Sequence, residues 1–339
     1  MHSKKTTFII AEAGVNHNGS LNTARQLIAS AKDCGADAVK FQTFRAEKLV
    51  TPDAQKSAYQ KKALPQGETQ LKMLKNLELS GEDFRELEAY CRQCNIIFMS
   101  SPFDEESVDL LDAMGMSMFK IPSGEITNLP FLGYVAAKGK SILLSTGMST
   151  LGEVEMALEM INANGNPQVT LLHCVTEYPA PYEEVNLKAM LTLYEAFRVD
   201  VGYSDHTVGI EAAIAATALG AKVIEKHFTL DNDMEGPDHN ASLNPQDFSL
   251  MVSAIRNVDH AMGDGIKRPA PCELINRKLV RKSIIVADTI EPGEVVSLRK
   301  LTVKRPGNGI PPMELLNLIG MKANKRIIKN TPLKWKDLS

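Results

Sequence analysis

Two histidines carry the most specific chemistry in this chain. Gly202-Tyr203-Ser204-Asp205-His206-Thr207 and Val223-Ile224-Glu225-Lys226-His227-Phe228-Thr229 each close a short apolar run with a histidine set among hydroxyl and charged groups. A single histidine at a strand end is as often a structural hydrogen-bonder as a ligand. Two of them, one βα unit apart, point to a shared divalent metal. Neutral imidazole is the commonest metal ligand, and histidine with water and a substrate oxygen makes an open catalytic sphere.

Around them stand groups suited to an anionic, phosphate-bearing substrate: Lys40, Lys120, Ser123 and Ser145. Most lysines are solvated rim charges. Lys40 and Lys120 instead sit inside apolar runs, Val39-Lys40-Phe41 and Phe119-Lys120-Ile121, where an ammonium without a partner is costly. Glu12 also ends an apolar run and suits a general base or a water-orienting carboxylate. A salt bridge to one of those lysines is an equal reading, and both can hold. Tyr178, before Pro179-Ala180-Pro181, is a candidate fixed hydroxyl for a sugar, though packing explains it nearly as well. Asp238 is a candidate acceptor for a polyol, and Asn16 and His17 are possible rim groups on a glycine-flanked loop. Arg305, in Lys304-Arg305-Pro306-Gly307-Asn308-Gly309, is either an ordinary surface arginine or one presented by a rigid turn. Cys91 and Cys94 form a CxxC with no second pair, read as two ordinary thiols.

Elements must bring these groups together. Short apolar runs at Phe8–Ala11, Ala38–Gln42, Ile96–Met99, Met118–Ile121, Ser141–Leu144, Val169–Leu172, Val199–Tyr203 and Lys222–Ile224 alternate with stretches of helical period. About eight strands and eight helices over roughly 260 residues match a (β/α)₈ TIM barrel. An open doubly wound sheet is the alternative, but no GxGxxG follows the first strand. The barrel would gather all the strand ends in one mouth: Glu12, Lys40 and Gln42, Ser100, Lys120 and Ser123, Ser145, His173, Asp205 with His206, and Lys226 with His227. Polar Lys48 to Thr69 reads as a long loop over one face.

The chain of 339 residues divides by pattern into a catalytic barrel (1–265), a Pro/Gly-marked linker (266–281) and a small β-rich domain (282–339). A formal net charge of −3 argues against general nucleic-acid binding. Five sparse cysteines fit a reducing compartment. Neither a secretory leader nor an apolar run long enough for a membrane span is visible, so the cytoplasm is the expected location.

The ordered motifs resemble the sialic acid synthase family, bacterial nonulosonate synthases. The resemblance runs through Ile10-Ala11-Glu12-Ala13-Gly14-Val15-Asn16-His17-Asn18-Gly19, Lys40-Phe41-Gln42, Lys120-Ile121-Pro122-Ser123-Gly124-Glu125, Ser145-Thr146-Gly147-Met148, Ser204 to Thr207, Glu225 to Thr229 and Arg305 to Ile310. It implies condensation of phosphoenolpyruvate with an N-acylated mannose-type sugar. It also implies a barrel followed by a small antifreeze-like (SAF) domain, swapped across a homodimer. By resemblance, His206 and His227 hold a catalytic divalent metal, manganese first, with magnesium or cobalt as alternatives. Lys40, Lys120, Ser123, Ser145 and Ser204 contact phosphoenolpyruvate. Gln42, Thr176, Tyr178 and Asp238 contact the sugar, as does an Arg305 lent by the partner. Glu12 handles a proton of the attacking water or of a sugar hydroxyl. Val175-Thr176-Glu177-Tyr178-Pro179 is similar to the stretch in legionaminate synthases, whose sugar is a 2,4-diacetamido-2,4,6-trideoxymannose. An N-acetylneuraminate synthase using N-acetylmannosamine is the alternative, followed by a metal-dependent pyruvate aldolase and, more remotely, an inert carbohydrate- or ice-binding barrel.

Overall fold

In the computed structural model, residues 6–56, 69–165 and 167–339 are described, and the chain divides into two compact units, Met1–Gly263 and Asp264–Ser339. The first unit alternates strands and helices: β1 Phe8–Gly14, α1 Leu21–Asp33, β2 Ala38–Thr43, a short α2 Ala46–Leu49, α3 Gln70–Leu77, α4 Gly81–Cys94 and β3 Ile97–Pro102. It continues with α5 Glu105–Ala113, β4 Met118–Ile121, α6 Leu129–Ala136, β5 Ser141–Ser145, α7 Leu151–Ala163 and β6 Val169–His173. It ends with α8 Lys188–Phe197, β7 Asp200–Asp205, α9 Glu211–Ala218, β8 Val223–His227 and α10 Pro245–Ala261.

The eight strands pair in parallel in the order β3-β2-β1-β8-β7-β6-β5-β4. β3 and β4 lie side by side without a ladder and bring the sheet round into a TIM-like near-barrel. Parallel strands covered by helices must be apolar on both faces, which is why each reads as a short apolar run. Inside the ring, Ile10, Ala38, Met99, Leu143, Leu172 and Val223 pack into a plug. Outside it, β-strand and helix side chains form the main core, with Phe41, Phe84, Phe119, Tyr203 and Phe248 among its largest members. Helix starts are well specified: Ser80 with Asp83, and Thr150 with Glu153, make reciprocal capping boxes. Among the described residues, no helix is long and apolar enough to cross a membrane.

Two readings of the β2–β3 connection need revision. The segment read as one long loop begins inside α2, and its residues 57–68 lie outside the described set. Beyond it, α3 was not anticipated, although Thr69 caps it and Met73, Leu74 and Leu77 fall on one face.

The second unit pairs β9 Ser283–Val286 with β10 Leu301–Lys304 in antiparallel register, Leu301 opposite Val286. Single bridges join Ile290 to Ile327 and Val295 to Lys322. Its own small core holds Ile284, Val286, Ile290, Val296, Ile310, Leu318 and Leu333. The segment read as linker contains a helix, α11 Glu273–Val280, whose residues are exposed.

Candidate active site

Strand period places the chemistry. In a strand, residues i and i+2 share a face. Two residues beyond Ile10, Ala38, Met99, Met118, Leu143, Leu172 and Val223 of the plug stand Glu12, Lys40, Ser101, Lys120, Ser145, Cys174 and Glu225. Together with Ser204, these line a cavity of about 210 Å³ at the C-terminal ends of the strands. Gln42, Ser123, Thr176, Tyr178, His206, His227 and Asp238 complete its polar lining. Every barrel residue that the resemblance links to phosphoenolpyruvate, sugar, metal or proton transfer therefore faces one space. Arg305 belongs to the second unit, exposed in the turn after β10.

The same alternation turns other strand-end groups away. Ser100 hydrogen-bonds Thr43 (2.7 Å) and His173 Nε2 meets the Val185 carbonyl (2.7 Å). Lys226 and Asp205, both expected at the mouth, instead form a fully buried ion pair at 2.8 Å, and Lys226 also donates to the Thr207 carbonyl at 2.5 Å. Asp205 in turn accepts from the Thr207 N–H (2.9 Å) and hydroxyl (2.8 Å). This pair clamps the two strand ends that carry the histidines.

Sequence reasoning missed Glu225, although its place two residues before His227 on one strand was a sufficient signal. Glu225 accepts from Ser204 Oγ at 2.9 Å and lies 3.5 Å from Lys120 Nζ and 3.7 Å from Lys40 Nζ. Lys40 Nζ reaches Glu12 Oε2 at 2.6 Å and donates to Ser101 Oγ at 3.1 Å. The floor is thus a mixed layer of two ammonium and two carboxyl groups. Burial would raise Glu225, but Lys120, Lys40 and the Ser204 hydroxyl outweigh it and hold the carboxyl at about 2. Glu12 goes the other way: burial dominates, Lys40 only partly offsets it, and the carboxyl rises to about 7. Lys120 is lowered by burial, while for Lys40 burial is outweighed by Glu12 and Glu225, which keep it charged. Two carboxyls in one layer are therefore driven apart, one firmly ionised and one poised near neutrality for proton transfer.

Burial pushes His206 down to about 4 and His227 well below the ordinary value, so both are neutral at pH 7. Their ring centroids are 5.5 Å apart. His206 Nδ1 donates to the Val175 carbonyl at 2.5 Å, which leaves Nε2 unprotonated, 3.5 Å from Ser204 Oγ; fixing one ring nitrogen in this way is how a ligand histidine is usually oriented. His227 Nδ1, Ser145 Oγ and Thr176 Oγ1 are buried without a hydrogen-bond partner among the described residues. Buried polar atoms of that kind call for a missing partner. No group of three or more His, Cys, Asp or Glu side chains gathers round a metal-sized space among the described residues. The two imidazoles fit half of a sphere that water and substrate oxygens would complete.

Backbone shape supports the site. β1 carries a bulge between Glu12 and Gly14, which pairs Glu12 with Lys40 and then Gly14 with Phe41; such bulges re-aim side chains beside active sites. Gly147 donates its N–H to Ser123 Oγ at 2.9 Å, and a Cβ there would lie 2.4 Å from Thr176 Oγ1. Only glycine allows that approach. Gln42 Nε2 donates to Glu12 Oε1 at 3.3 Å, and the Tyr178 ring lies 4.2 Å from that of His206. Burial raises Asp238 to about 6.

On the loop after β1, His17 is completely buried, its Nδ1 accepting from Gly19 N–H at 3.0 Å. It props the loop and does not line the cavity. Burial lowers it from 6.5 to about 4, so the folded protein keeps it neutral. Its stabilising share is full above pH 6.5 and is lost as pH falls toward 4, because the unfolded chain takes up the proton first. At about 1.4 kcal/mol per pKa unit, the difference amounts to roughly 3 kcal/mol. Urea unfolding at pH 7 and pH 4.5 should therefore show a smaller acid loss for His17→Gln than for the wild type. Equal losses would contradict this.

Comparison with known proteins identifies the family. Residues 27–267 match the NeuB family and residues 281–339 the SAF domain. The chain is 54% identical to the N,N'-diacetyllegionaminic acid synthase of Campylobacter jejuni, over 95% of this chain and 97% of the relative. It is 46% identical to the protein of the same name in Legionella pneumophila, over 99% and 96%. The crystal structure of N-acetylneuraminic acid (sialic acid) synthetase from Leptospira borgpetersenii, in complex with citrate, superposes with a TM-score of 0.72 at 33% identity, covering 81% of this chain and 91% of that one. The chain is a member of the NeuB family of sialic acid synthases, a barrel carrying a C-terminal SAF domain.

Proposed function

We propose that this chain condenses phosphoenolpyruvate with a 2,4-diacetamido-2,4,6-trideoxymannose-type sugar and water, giving N,N'-diacetyllegionaminate and inorganic phosphate. The observation that carries the reading is one cavity pairing two buried lysines with two neutral histidines, in a chain 54% identical to a relative named for that product.

Lys40 and Lys120 hold the carboxylate and phosphate of phosphoenolpyruvate, with hydroxyls from Ser123, Ser145 and Ser204. The unpartnered Ser145 Oγ supports this, since a ligand oxygen would satisfy it. His206 and His227 are the residues that would hold a divalent ion, manganese in this reading. Such an ion supplies Lewis-acid polarisation of the sugar's open-chain aldehyde. Gln42, Thr176, Tyr178 and Asp238 orient the sugar, and the open Thr176 hydroxyl is free to serve it. C3 of phosphoenolpyruvate bonds to the aldehyde carbon, water adds to the resulting C2 cation, and the phosphate leaves from that carbon. Glu12, titrating near 7, takes up or returns the proton of that water or of the new hydroxyl. Arg305, supplied by the second chain of a swapped homodimer, holds an N-acyl group. The setting is a cytoplasmic biosynthetic route.

The test is phosphate release. One phosphate per condensed sugar, dependent on both substrates, supports the reading; an aldolase using free pyruvate releases none. Lys120→Ala should raise KM for phosphoenolpyruvate by roughly ten- to a hundredfold, the worth of one charge-assisted contact. The sugar's KM should move far less. An unchanged KM for phosphoenolpyruvate would return Lys120 to a purely structural role beside Glu225.

A further inference from the structure

The cavity has two chemically different sides. One is the charged floor and its histidines. The other is apolar: Val15 from the loop after β1, Met73, Leu74 and Leu77 of α3, and Phe103 just past β3. Val15, Met73, Leu74 and Leu77 are each at most 8% exposed and pack with Phe44 and Ala46 in a cluster separate from the main core. A wall of this kind offers nothing to phosphate, carboxylate or a proton in transit. Its place in the ring differs from that of the histidines and of Ser123 and Ser145, and it shares its sector with Glu12, Lys40 and Gln42. The histidines come from the ends of β7 and β8, and Ser123 and Ser145 from the ends of β4 and β5. The wall comes from the β1 to β3 sector.

We propose that this wall receives the methyl end of the acceptor sugar, so that Met73 and Leu77 select a 6-deoxy acceptor over its 6-hydroxy counterpart. The inference rests on the condensation proposed above and assigns which part of the sugar the apolar side reads. In an open-chain aldose the reacting carbon is C1, and C6 is the far end of the chain. With C1 at the histidines, C6 is the group left for surface that does no chemistry. A hydroxyl placed against methionine and leucine gives up its water without gaining a partner, whereas a methyl keeps every contact. Such a pocket discriminates against an added hydroxyl only moderately, by about 10- to 100-fold.

The experiment compares kcat/KM of the manganese-loaded wild-type enzyme, with saturating phosphoenolpyruvate, for 2,4-diacetamido-2,4,6-trideoxymannose and for the same sugar bearing a 6-hydroxyl. A preference of about 10- to 100-fold for the deoxy sugar is expected. Met73→Gln should reduce that preference at least about fivefold, through KM for the sugar and with KM for phosphoenolpyruvate unchanged, while Met73→Leu should keep it. A wild-type ratio near one, with phosphate still released from both sugars, overturns the selection and leaves the condensation standing. So does an unchanged ratio in folded Met73→Gln. Phosphate release from neither sugar removes the condensation and this inference with it. If Met73→Gln does not fold, Leu77→Met takes its place, expected to shift KM for the deoxy sugar and not for phosphoenolpyruvate; no shift counts against the wall.

Discussion

His227→Ala is expected to lower kcat/KM by at least about 10³-fold, and added manganese is not expected to restore it. Wild-type enzyme stripped by chelation should lose activity and regain it with manganese. The contrast isolates the ligand from the metal. His227 Nδ1 is buried without a hydrogen bond among the described residues, and its ring faces that of His206 across 5.5 Å. Alanine removes one of the two imidazoles that line the cavity, and the described residues hold no group of three or more His, Cys, Asp or Glu side chains that could keep the ion without it. Manganese binding measured by titration calorimetry should weaken in parallel, which separates lost metal from misplaced substrate. Full activity in metal-free wild-type enzyme would contradict the assignment.

The largest expected loss of stability lies one residue away. Lys226→Met leaves Asp205, whose side chain is completely buried, without its ammonium partner at 2.8 Å. Breaking such a pair costs on the order of 3–5 kcal/mol, because a charge remains in a dry interior. For a unit of this size that is a fall of about 10 °C in Tm. Adding Asp205→Asn removes the stranded charge and should recover part of the loss. A single replacement costing under about 1 kcal/mol would show that water reaches the pair.

These two neighbours show what the sequence could and could not convey. Both are charged groups at the end of one apolar strand, and the residue types alone do not say which faces the ligand. The period of two does, once the plug residue Val223 is known to point inward: Glu225 and His227 follow it and Lys226 does not. The eight barrel strands were legible because burial on both faces forces short apolar runs. Lys40 and Lys120 were legible because a charge inside such a run needs a reason. Glu225 was overlooked although it shares a strand face with His227, because its lysine partners come from β2 and β4, far away in sequence. α3 was overlooked because eight residues carry little periodic signal and follow a polar stretch. In the second unit, read from sequence as β-rich, Val295 and Ile327 form only single bridges, since short pairings there rest on tertiary packing rather than on propensity.

The central claim is the identity of the acceptor sugar, and a competition tests it most directly. The purified enzyme is given phosphoenolpyruvate, manganese and equal amounts of 2,4-diacetamido-2,4,6-trideoxymannose and N-acetylmannosamine, and products are resolved by mass spectrometry while phosphate is counted. The account predicts N,N'-diacetyllegionaminate as the main early product, with one phosphate for each sugar condensed. A predominance of N-acetylneuraminate, or product formed without phosphate, would contradict it.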